Sequence, residues 1–507
     1  MPEPADRHPE PELIHVRDPD VSRAALERLG ERAWTEALDW LYGTAMQRPT
    51  APDLYADLRR EFFGEANRPG PAPREGRAAE EVLAEFRERL APFSFGAQHP
   101  GSFSYFTPPP LAMSIVGETL GQWLNQGIDV WLSGMTGPFV EEEVIRWMCD
   151  LVGYGPDAWG VLTSGGVMAN LMALAVARDV HVPALLGLDA PPRAGLLEGL
   201  RVYTSDQSHF SIERGLDLLG FPSEVLRVIP SDEHFRLQAG PVATAIAEDR
   251  AAGLTPFCIA AVAGSTNTGS VDDVPGLAHL ASTEGLWLHV DAAYGAAARL
   301  SSAVADAVPG LEHADSLTFD PHKWFFQPYD IGGLLVRRRA HLLRGFHREP
   351  EYYAVWGPEE QPLHWYQYSI EGTRRFRALK LWLSWKHLGS EGFAGLIERN
   401  VELARHLARR AAELGFEVIH PELAVVCFRD VPPSLADDPA RVDEHQRRLQ
   451  RELEVSGIGW VSTTTLRERT WLRAGVTNYL STAADADRVL GALRAASERV
   501  LENVKPH

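Results

Sequence analysis

The sequence predicts an α/β protein whose mostly parallel sheet is flanked by helices, with an N-terminal helical segment and a smaller C-terminal α+β domain. Between residues 111 and 390, short β-rich runs alternate with helical stretches, and such alternation builds a parallel sheet covered on both faces. After residue 390 a long helical pattern is followed by separate short strands and helices. We therefore expect an arm and helical segment at 1–110, a large domain at 111–390 and a small domain at 391–507.

The N-terminal part begins with residues 1–20, which are rich in proline and charge and are expected to form a disordered or draped arm. Helical patterns follow at about 21–42 and 79–90. The run from His99 to Pro110 ends in three consecutive prolines and cannot be helical. Its aromatic residues, in an irregular segment, are typical of a pocket wall.

The two later domains contain clear alternating patterns. In the large domain we expect strands at 202–204, 225–229, 257–263, 287–290, 316–319 and 331–336, with helices such as 240–252 and 274–283 between them. In the small domain we expect helices at 392–414, at 441–455 and from 484, and strands at 416–419, 425–429, 460–462 and 471–476. Because ligands of parallel sheets bind at the carboxyl ends of strands, polar residues at those ends are the functional candidates.

Composition and charge exclude several classes of function. The chain of 507 residues has 49 Lys and Arg against 69 Asp and Glu, a formal net charge of −20, which argues against binding to nucleic acid or to an anionic membrane. No uncharged apolar stretch of membrane-spanning length is present. The cysteines Cys149, Cys258 and Cys427 are far apart in apolar surroundings, so we expect free thiols in a reducing cytoplasm and no metal site.

A glycine pair connects a short strand to a strongly helical sequence. Gly165 and Gly166 follow the apolar run that begins at Val161 and precede the helical pattern that reaches Arg178. Glycines allow backbone N–H groups to approach an anion, and the helix dipole adds to the attraction. The pattern predicts a phosphate cradle, although such a turn by itself is more often structural.

Two charged residues lie at the ends of later strands. Asp291 ends the buried run that starts at Trp287, and a carboxylate there needs a cation such as a protonated pyridine nitrogen; the alternative is a helix N-cap. Lys323 precedes three aromatic residues, 324–326. Burial would depress the pKa of its amine and make it nucleophilic toward carbonyls, whereas the alternative is an ordinary surface lysine. His209 lies at another strand-to-helix turn, where a lone histidine is more often structural.

Taken together and in this order, these motifs resemble those of the pyridoxal-phosphate enzymes of fold type I. Within them the sequence resembles the group II amino-acid decarboxylases, which include aromatic-amino-acid, glutamate, histidine and diaminobutyrate decarboxylases. The resemblance covers residues 80–490 and is carried by Thr163–Gly166, Ser205–His209, Gly264–Thr266, His289–Ala293, Asp320–Lys323 and Arg374–Lys380.

The resemblance implies pyridoxal 5'-phosphate as cofactor and a role for each motif. Lys323 would form the internal aldimine and Asp291 would pair with the pyridine nitrogen. Ala293 and His209 would lie on the two faces of the ring. The remaining cofactor-binding residues would be Ser164, Gly165, Gly166, Val167, Thr266, Asp320 and His322. Many relatives have a hydroxyl residue where this chain has Val167, and Asp320 is an unfavourable neighbour for a phosphate.

The segment 347–369 is rich in Tyr, Trp and His. In the resembled family this region is a mobile loop that closes over an active site, often that of the partner subunit, so the resemblance implies a homodimer with composite active sites. A loop tyrosine would protonate the α-carbon; Tyr366 is the candidate, with Trp365 and Tyr368 as competitors. The alternative is an ordinary surface loop.

The expected activity is that of a carboxy-lyase that converts an L-amino acid to the amine and CO₂ through a Lys323 aldimine and a quinonoid. The wall residues Tyr105, Phe106 and Thr107 match the substrate pocket of the family, with Trp123 and Trp131 just downstream, and apolar bulk favours an aromatic or branched aliphatic substrate. A basic or acidic substrate, decarboxylation with oxidative deamination, aminotransfer, and a non-catalytic cofactor-binding protein are the alternatives.

Overall fold

The computed structural model describes residues 22–43, 46–50, 55–65, 67–192, 194–348 and 362–502. The expected arm at 1–20 and the central part of the expected loop, 349–361, lie outside these ranges. The chain divides into two compact units, Met1–Gly96 and Ala97–His507. The domain boundaries at 110 and 390 remain predictions.

The described residues of the first unit form three α-helices: α1 Arg23–Tyr42, α2 Tyr55–Phe63 and α3 Ala79–Glu85. The side chain of Ser22 accepts a hydrogen bond from Ala25 N and caps α1. A π-helical turn, Phe86–Leu90, extends α3. The helices expected at 21–42 and 79–90 are therefore confirmed, while α2 was not predicted.

The second unit contains the remaining thirteen helices that the structure describes and eleven strands. The helices are α4 Ala112–Leu124, α5 Trp131–Gly134, α6 Gly137–Leu151, α7 Gly166–Val176, α8 Val182–Leu186, α9 Ala194–Leu197, α10 Ser211–Leu218, α11 Ala239–Ala251, α12 Val274–Glu284, α13 Arg339–Phe346, α14 Ala378–Glu413, α15 Pro439–Ser456 and α16 Ala483–Glu502. The strands are β1 Trp159–Thr163, β2 Leu200–Ser205, β3 Leu226–Ile229, β4 Thr255–Val262, β5 Trp287–Asp291, β6 Ser316–Phe319, β7 Gly332–Val336, β8 Glu417–Ile419, β9 Val425–Arg429, β10 Ser462–Leu466 and β11 Arg469–Gly475.

The large sheet has seven strands in the order β1-β7-β6-β5-β4-β2-β3. The pairs from β3 through β2, β4 and β5 to β6 are parallel, and every residue of β5 and β6 is buried. Strands buried on both faces are mostly apolar, and the apolar residues of β5 and β6 made them visible in the sequence although each strand also contains two polar residues. The mostly parallel sheet is confirmed; the antiparallel pairing of β7 with β6 and β1 was not predicted.

The small sheet is antiparallel, in the order β10-β11-β9-β8. This confirms the C-terminal α+β arrangement. Two boundaries were wrong: the strand expected at 460–462 begins at Ser462, and the helix expected from 392 begins at Ala378. Gly389 has φ 66° and interrupts α14, which explains why the sequence showed only the second part as one helix.

The helical run Gly166–Leu186 follows β1 and is long and apolar enough to cross a membrane by length and composition alone. Of its most apolar 18-residue window, 56% is buried inside the protein. Its first residues form one wall of the cavity described below. All three cysteines are buried and free.

Candidate active site

A cavity of about 440 Å³ lies where the carboxyl ends of several strands meet. Its lining comes from the turns after β1, β2, β4, β5 and β6, and all eleven residues predicted to bind the cofactor contribute. The lining residues are Ser164, Gly165, Gly166, Val167, Met168, Asn170, His209, Phe210, Val262, Gly264, Thr266, Asp291, Ala293, Tyr294, Asp320, His322, Lys323 and Tyr329. Motifs more than 150 residues apart in sequence thus converge on one edge of the sheet, as the strand order requires.

The glycine pair forms the floor of the cavity at the N-terminus of α7. A Cβ at Gly166 would lie 2.8 Å from Asp320 Oδ2, and a Cβ at Gly332 would lie 2.5 Å from Gly165 Cα. A side chain at Gly166 or Gly332 would therefore clash, whereas a Cβ at Gly165 would meet only His322 Cε1 at 3.5 Å. The first N–H groups of a helix lack intrahelical partners, so the turn can offer them to an anion. Val167, at the next position, adds a partly exposed apolar side chain and no hydroxyl.

Asp291 is held in place by hydrogen bonds to both oxygens. Ala293 N donates to Oδ1 at 3.1 Å, and Asn170 Nδ2 donates to Oδ2 at 2.7 Å. The oxygen of the Asn170 side chain accepts from Thr318 Oγ1 at 2.6 Å and from His289 Nε2 at 3.0 Å. Burial lowers the pKa of His289, so its ring is neutral at neutral pH. A buried network therefore fixes the orientation of the carboxylate.

Asn170 had no role in the sequence interpretation, although it lies within the quoted glycine motif. It is 1% exposed, in a helix whose other residues are apolar. A buried amide needs hydrogen-bond partners. This single polar residue on a buried helix face was the signal that could have revealed it.

Ser211 extends the same network to His209. Asn170 Nδ2 donates to Ser211 Oγ at 2.8 Å, which leaves the Ser211 hydroxyl proton for His209 Nδ1, also at 2.8 Å. Ser211 N lies 3.4 Å from the same ring nitrogen and also donates to it. Burial lowers the pKa of His209. The ring is therefore neutral with its proton on Nε2, where it can donate to a ligand.

The electrostatics of Lys323 differ from the prediction. Its Nζ lies 3.1 Å from Asp320 Oδ2. Burial lowers the pKa of this lysine, but the carboxylates of Asp320 and Asp291 raise it more, so the pKa lies above its ordinary value. The expectation that burial would depress the pKa was wrong because the sequence did not show how close the two carboxylates come.

Asp320 is 2% exposed and is the immediate ion-pair partner of Lys323. Its Oδ2 is also 3.8 Å from His322 Nε2, while His322 Nδ1 lies 2.5 Å from the carbonyl oxygen of Ile331 and donates to it. Within the described part of the chain, Asp320 Oδ1 has no hydrogen-bond partner. The cavity thus contains a buried polar atom that the fold leaves unsatisfied.

The predicted substrate residues lie behind and beside the cavity lining. Phe106 is buried and stacks on Tyr294 with ring centroids 4.2 Å apart, and Thr107 is hydrogen-bonded to Tyr329. Tyr105 is 61% exposed and contacts the edge of Trp460. None of the three lines the cavity directly, and Trp123 and Trp131 do not line it either.

The two loop tyrosines do not line the cavity of their own chain. The backbone N–H of Tyr366 donates to Asp129 O at 3.2 Å. Tyr368 is buried, and its hydroxyl accepts a hydrogen bond from Arg339 Nε at 2.9 Å. Tyr366 as the proton donor therefore stays a prediction.

Comparison with known proteins gives the family. Residues 65–431 match the model described as the pyridoxal-dependent decarboxylase conserved domain. The chain belongs to this family. It is 33% identical to an aromatic-L-amino-acid decarboxylase of Bacillus atrophaeus over 95% of this chain and 97% of the relative. It is 28% identical to an L-2,4-diaminobutyrate decarboxylase of Acinetobacter baumannii over 85% and 86%.

The solved structures agree in fold. Oryza sativa TDC, crystallised with PLP and tryptamine, superposes with a TM-score of 0.87 at 24% identity and covers 96% of this chain and 100% of that one. The protein is thus a pyridoxal-phosphate-dependent lyase that decarboxylates an amino acid. The cavity fits the cofactor, because it combines a glycine-lined helix N-terminus for a phosphate, a fixed carboxylate for a ring nitrogen and the partly buried amine of Lys323 for an aldehyde.

Proposed function

We propose that this decarboxylase acts on an aromatic L-amino acid and releases the corresponding amine. The observation that carries the proposal is the aromatic wall, in which buried Phe106 stacks on Tyr294 of the cavity lining. Phe210 and Tyr329 add aromatic surface to the same lining. Apolar walls of this kind favour flat apolar side chains. The relationship to the Bacillus atrophaeus enzyme over almost the full chain supports the same substrate class.

The charges of the lining argue against an acidic substrate. Among the described residues that line the cavity there is no arginine, and Lys323 is paired with Asp320. Arg473 lies nearby, over the ring of Phe106, but its guanidinium donates to the backbone oxygens of Thr266 and Ser104. Arg473 Nη2 has no hydrogen-bond partner among the described residues, but Arg473 lies outside the lining, so an acidic side chain inside the cavity would meet no unpaired cation of the described lining.

We assign the cofactor contacts as follows. Lys323 would hold the cofactor covalently, Asp291 would keep a proton on the ring nitrogen, and Ala293 and His209 would pack against the ring. The phosphate would lie at the helix N-terminus, bound by Ser164, Gly165, Gly166, Val167 and His322, with Thr266 near the ring edge and Asp320 beside Lys323. When bound, pyridoxal phosphate supplies the electron sink for the carbanion that remains as CO₂ leaves.

His209 is suited to orient the carboxylate that leaves. Its Nδ1 accepts from Ser211, so its Nε2–H is available to a substrate carboxylate at the cavity. A neutral histidine can position the substrate carboxylate but stabilises its negative charge less than a cation would. Because the ground state is stabilised less, the loss of CO₂ stays favourable.

A substrate panel tests the proposal. CO₂ and amine release should be measured for L-tryptophan, L-tyrosine, L-phenylalanine, L-leucine, L-glutamate and L-2,4-diaminobutyrate. We expect the highest kcat/KM for an aromatic substrate. We also expect a fall of about tenfold or more in Phe106→Ala, because Tyr294 of the lining then loses the buried ring that packs behind it. Phe62→Ala, an exposed phenylalanine of α2, is the matched control. A preference for glutamate or diaminobutyrate would refute the substrate assignment.

The amine product depends on protonation at the α-carbon, and we assign this to Tyr366. Tyr368 is less suited because its ring is buried against Trp159 and Trp365 and its hydroxyl is held in place by Arg339. In Tyr366→Phe, CO₂ release should continue while the product shifts toward aldehyde and ammonia, with O₂ as the oxidant. Tyr368→Phe should keep the amine. An unchanged amine yield in both single variants and in the double variant would remove the loop tyrosines from the reaction.

We further propose that the enzyme is a homodimer in which Tyr366 serves the partner's cavity. Large apolar side chains are exposed within residues 120–139 and at Ile370. An isolated β-bridge between Gly127 and Arg375 brings these two parts of the chain together. An apolar surface of this extent is typical of an interface.

The three free cysteines fit a reducing cytoplasm as the compartment of the enzyme.

Complementation tests the shared site. Lys323→Ala and Tyr366→Phe are each expected to lose amine formation, and refolding them together should restore part of it, because a mixed dimer has one intact site. Sedimentation should show a dimer at assay concentration. A fully active monomer, or no recovery in a mixture shown to contain mixed dimers, would contradict the proposal.

A further inference from the structure

A second cavity, of about 730 Å³, lies at the opposite edge of the large sheet. Its lining includes Trp287, the first residue of β5, whereas Asp291 at the last position of β5 lines the active-site cavity. Four residue steps of about 3.3 Å each separate these ends by about 13 Å. The second cavity is therefore distinct from the cofactor site.

The lining of this second cavity is strongly basic for a chain of net charge −20. It contains four histidines and three arginines but one acidic residue, Asp315. That carboxylate is already engaged, since it accepts the N–H of Leu288 at 3.0 Å and pairs with Arg337. Within the described ranges, neither Arg338 nor Arg344 has an ion-pair partner. Two exposed guanidinium groups therefore border this concave surface without a counter-charge among the described residues.

The histidines that line this second cavity lie close to the same arginines. His341 and His181 flank buried Trp287, with ring centroids 5.2 Å and 6.1 Å from its ring. Burial lowers the pKa of His341, the carboxylate of Asp315 partly opposes this, and the positive charges of Arg338 and Arg344 lower the pKa further. Its Nδ1 is buried and has no hydrogen-bond partner among the residues that the structure describes. The wall thus places two cations beside a buried polar atom that has no partner among the described residues, and an anion would supply a counter-charge.

We propose that this cavity binds a small polyanion, either a phosphate ester or a polycarboxylate, through Arg338 and Arg344. Guanidinium groups bind the oxygens of both kinds of anion in pairs of parallel hydrogen bonds. Arg344 lies on α13 and Arg338 immediately precedes it, so both approach the cavity from the same wall as His341. The volume accommodates a ligand larger than a single inorganic phosphate.

Calorimetric titration of the holoenzyme tests this site, because bound cofactor fills the phosphate site of the catalytic cavity. Inorganic phosphate and citrate are the two probes, each compared with sodium chloride at equal ionic strength. The variants are Arg338→Ala, Arg344→Ala and the double variant. Arg409→Ala, an exposed arginine of α14 outside the cavity, is the matched control.

We expect saturable binding of at least one probe, weakened about tenfold or more by each single substitution and lost in the double variant. The control should bind like the unmodified enzyme. Binding of phosphate alone assigns a phosphate ester, and binding of citrate alone assigns a polycarboxylate. The proposal is overturned if neither probe binds saturably, or if the double variant, folded and cofactor-loaded, binds both with unchanged affinity.

Discussion

Replacing Asp291 by asparagine removes one charge at the centre of the cavity and keeps the size of the side chain. Both carboxylate oxygens of Asp291 accept hydrogen bonds, one from Ala293 N and one from Asn170 Nδ2. Whichever way the new amide turns, its NH₂ group faces a donor. One mismatched buried hydrogen bond costs about 1–3 kcal/mol, which a protein of this size can tolerate.

The effect of Asp291→Asn on the reaction should be larger than its effect on folding. The variant can no longer keep a proton on the ring nitrogen of the cofactor by charge. We expect decarboxylation to slow about 100-fold or more, equivalent to roughly 2.7 kcal/mol of transition-state stabilisation. A decrease of this size is typical when a buried active site loses one fixed charge that interacts with the reacting group.

Initial rates of CO₂ release by cofactor-saturated enzyme, together with urea unfolding of the same samples, separate the two effects. Asp306→Asn makes the same chemical change at an exposed position outside the cavity and should leave both measurements unchanged. A near wild-type rate in cofactor-loaded Asp291→Asn would refute the pairing of Asp291 with the ring nitrogen.

Three further predictions follow from neighbouring contacts. Asn170→Leu removes the amide that Asp291 Oδ2, His289 and Thr318 use as a hydrogen-bond partner. The free energy of unfolding in urea should therefore fall by about 3 kcal/mol or more, and a fall below about 1 kcal/mol would contradict the network. Asp320→Asn removes a carboxylate that raises the pKa of Lys323, so more of the amine is neutral at a given pH. Incorporation of the cofactor into apoenzyme should therefore begin at lower pH, and an unchanged pH profile of incorporation would argue against this coupling. Val167→Ser adds a hydroxyl donor for the phosphate and should slow cofactor loss on dialysis about tenfold, whereas unchanged loss would separate residue 167 from the phosphate site.

Much of the candidate site could be read from the sequence because the relevant signals are local. The turn at Gly165 and Gly166, the carboxylate at the end of a buried strand and the lysine before an aromatic run each depend on a few neighbouring residues. The order of strands then brings their carboxyl ends to one edge, so these residues meet without further information.

Contacts between distant residues could not be read in the same way. Asn170 is 121 residues from Asp291, and its role depends on the packing of α7 against β5. The pKa of Lys323 depends on two carboxylate distances, and its direction was therefore mispredicted from burial alone. The sequence did not show that β7 is antiparallel to its neighbours β1 and β6, because its apolar residues are compatible with a parallel or an antiparallel strand.

The sequence by itself determined the α/β class, the family resemblance, and eleven of the residues that line the cavity, because periodicity and turn chemistry are encoded over short stretches. The tertiary structure decided how charges interact: the hydrogen-bond chain from Asp291 through Asn170 and Ser211 to His209, and the basic cavity at the other end of β5. Electrostatic interactions depend on distance and burial, and both are properties of the folded chain.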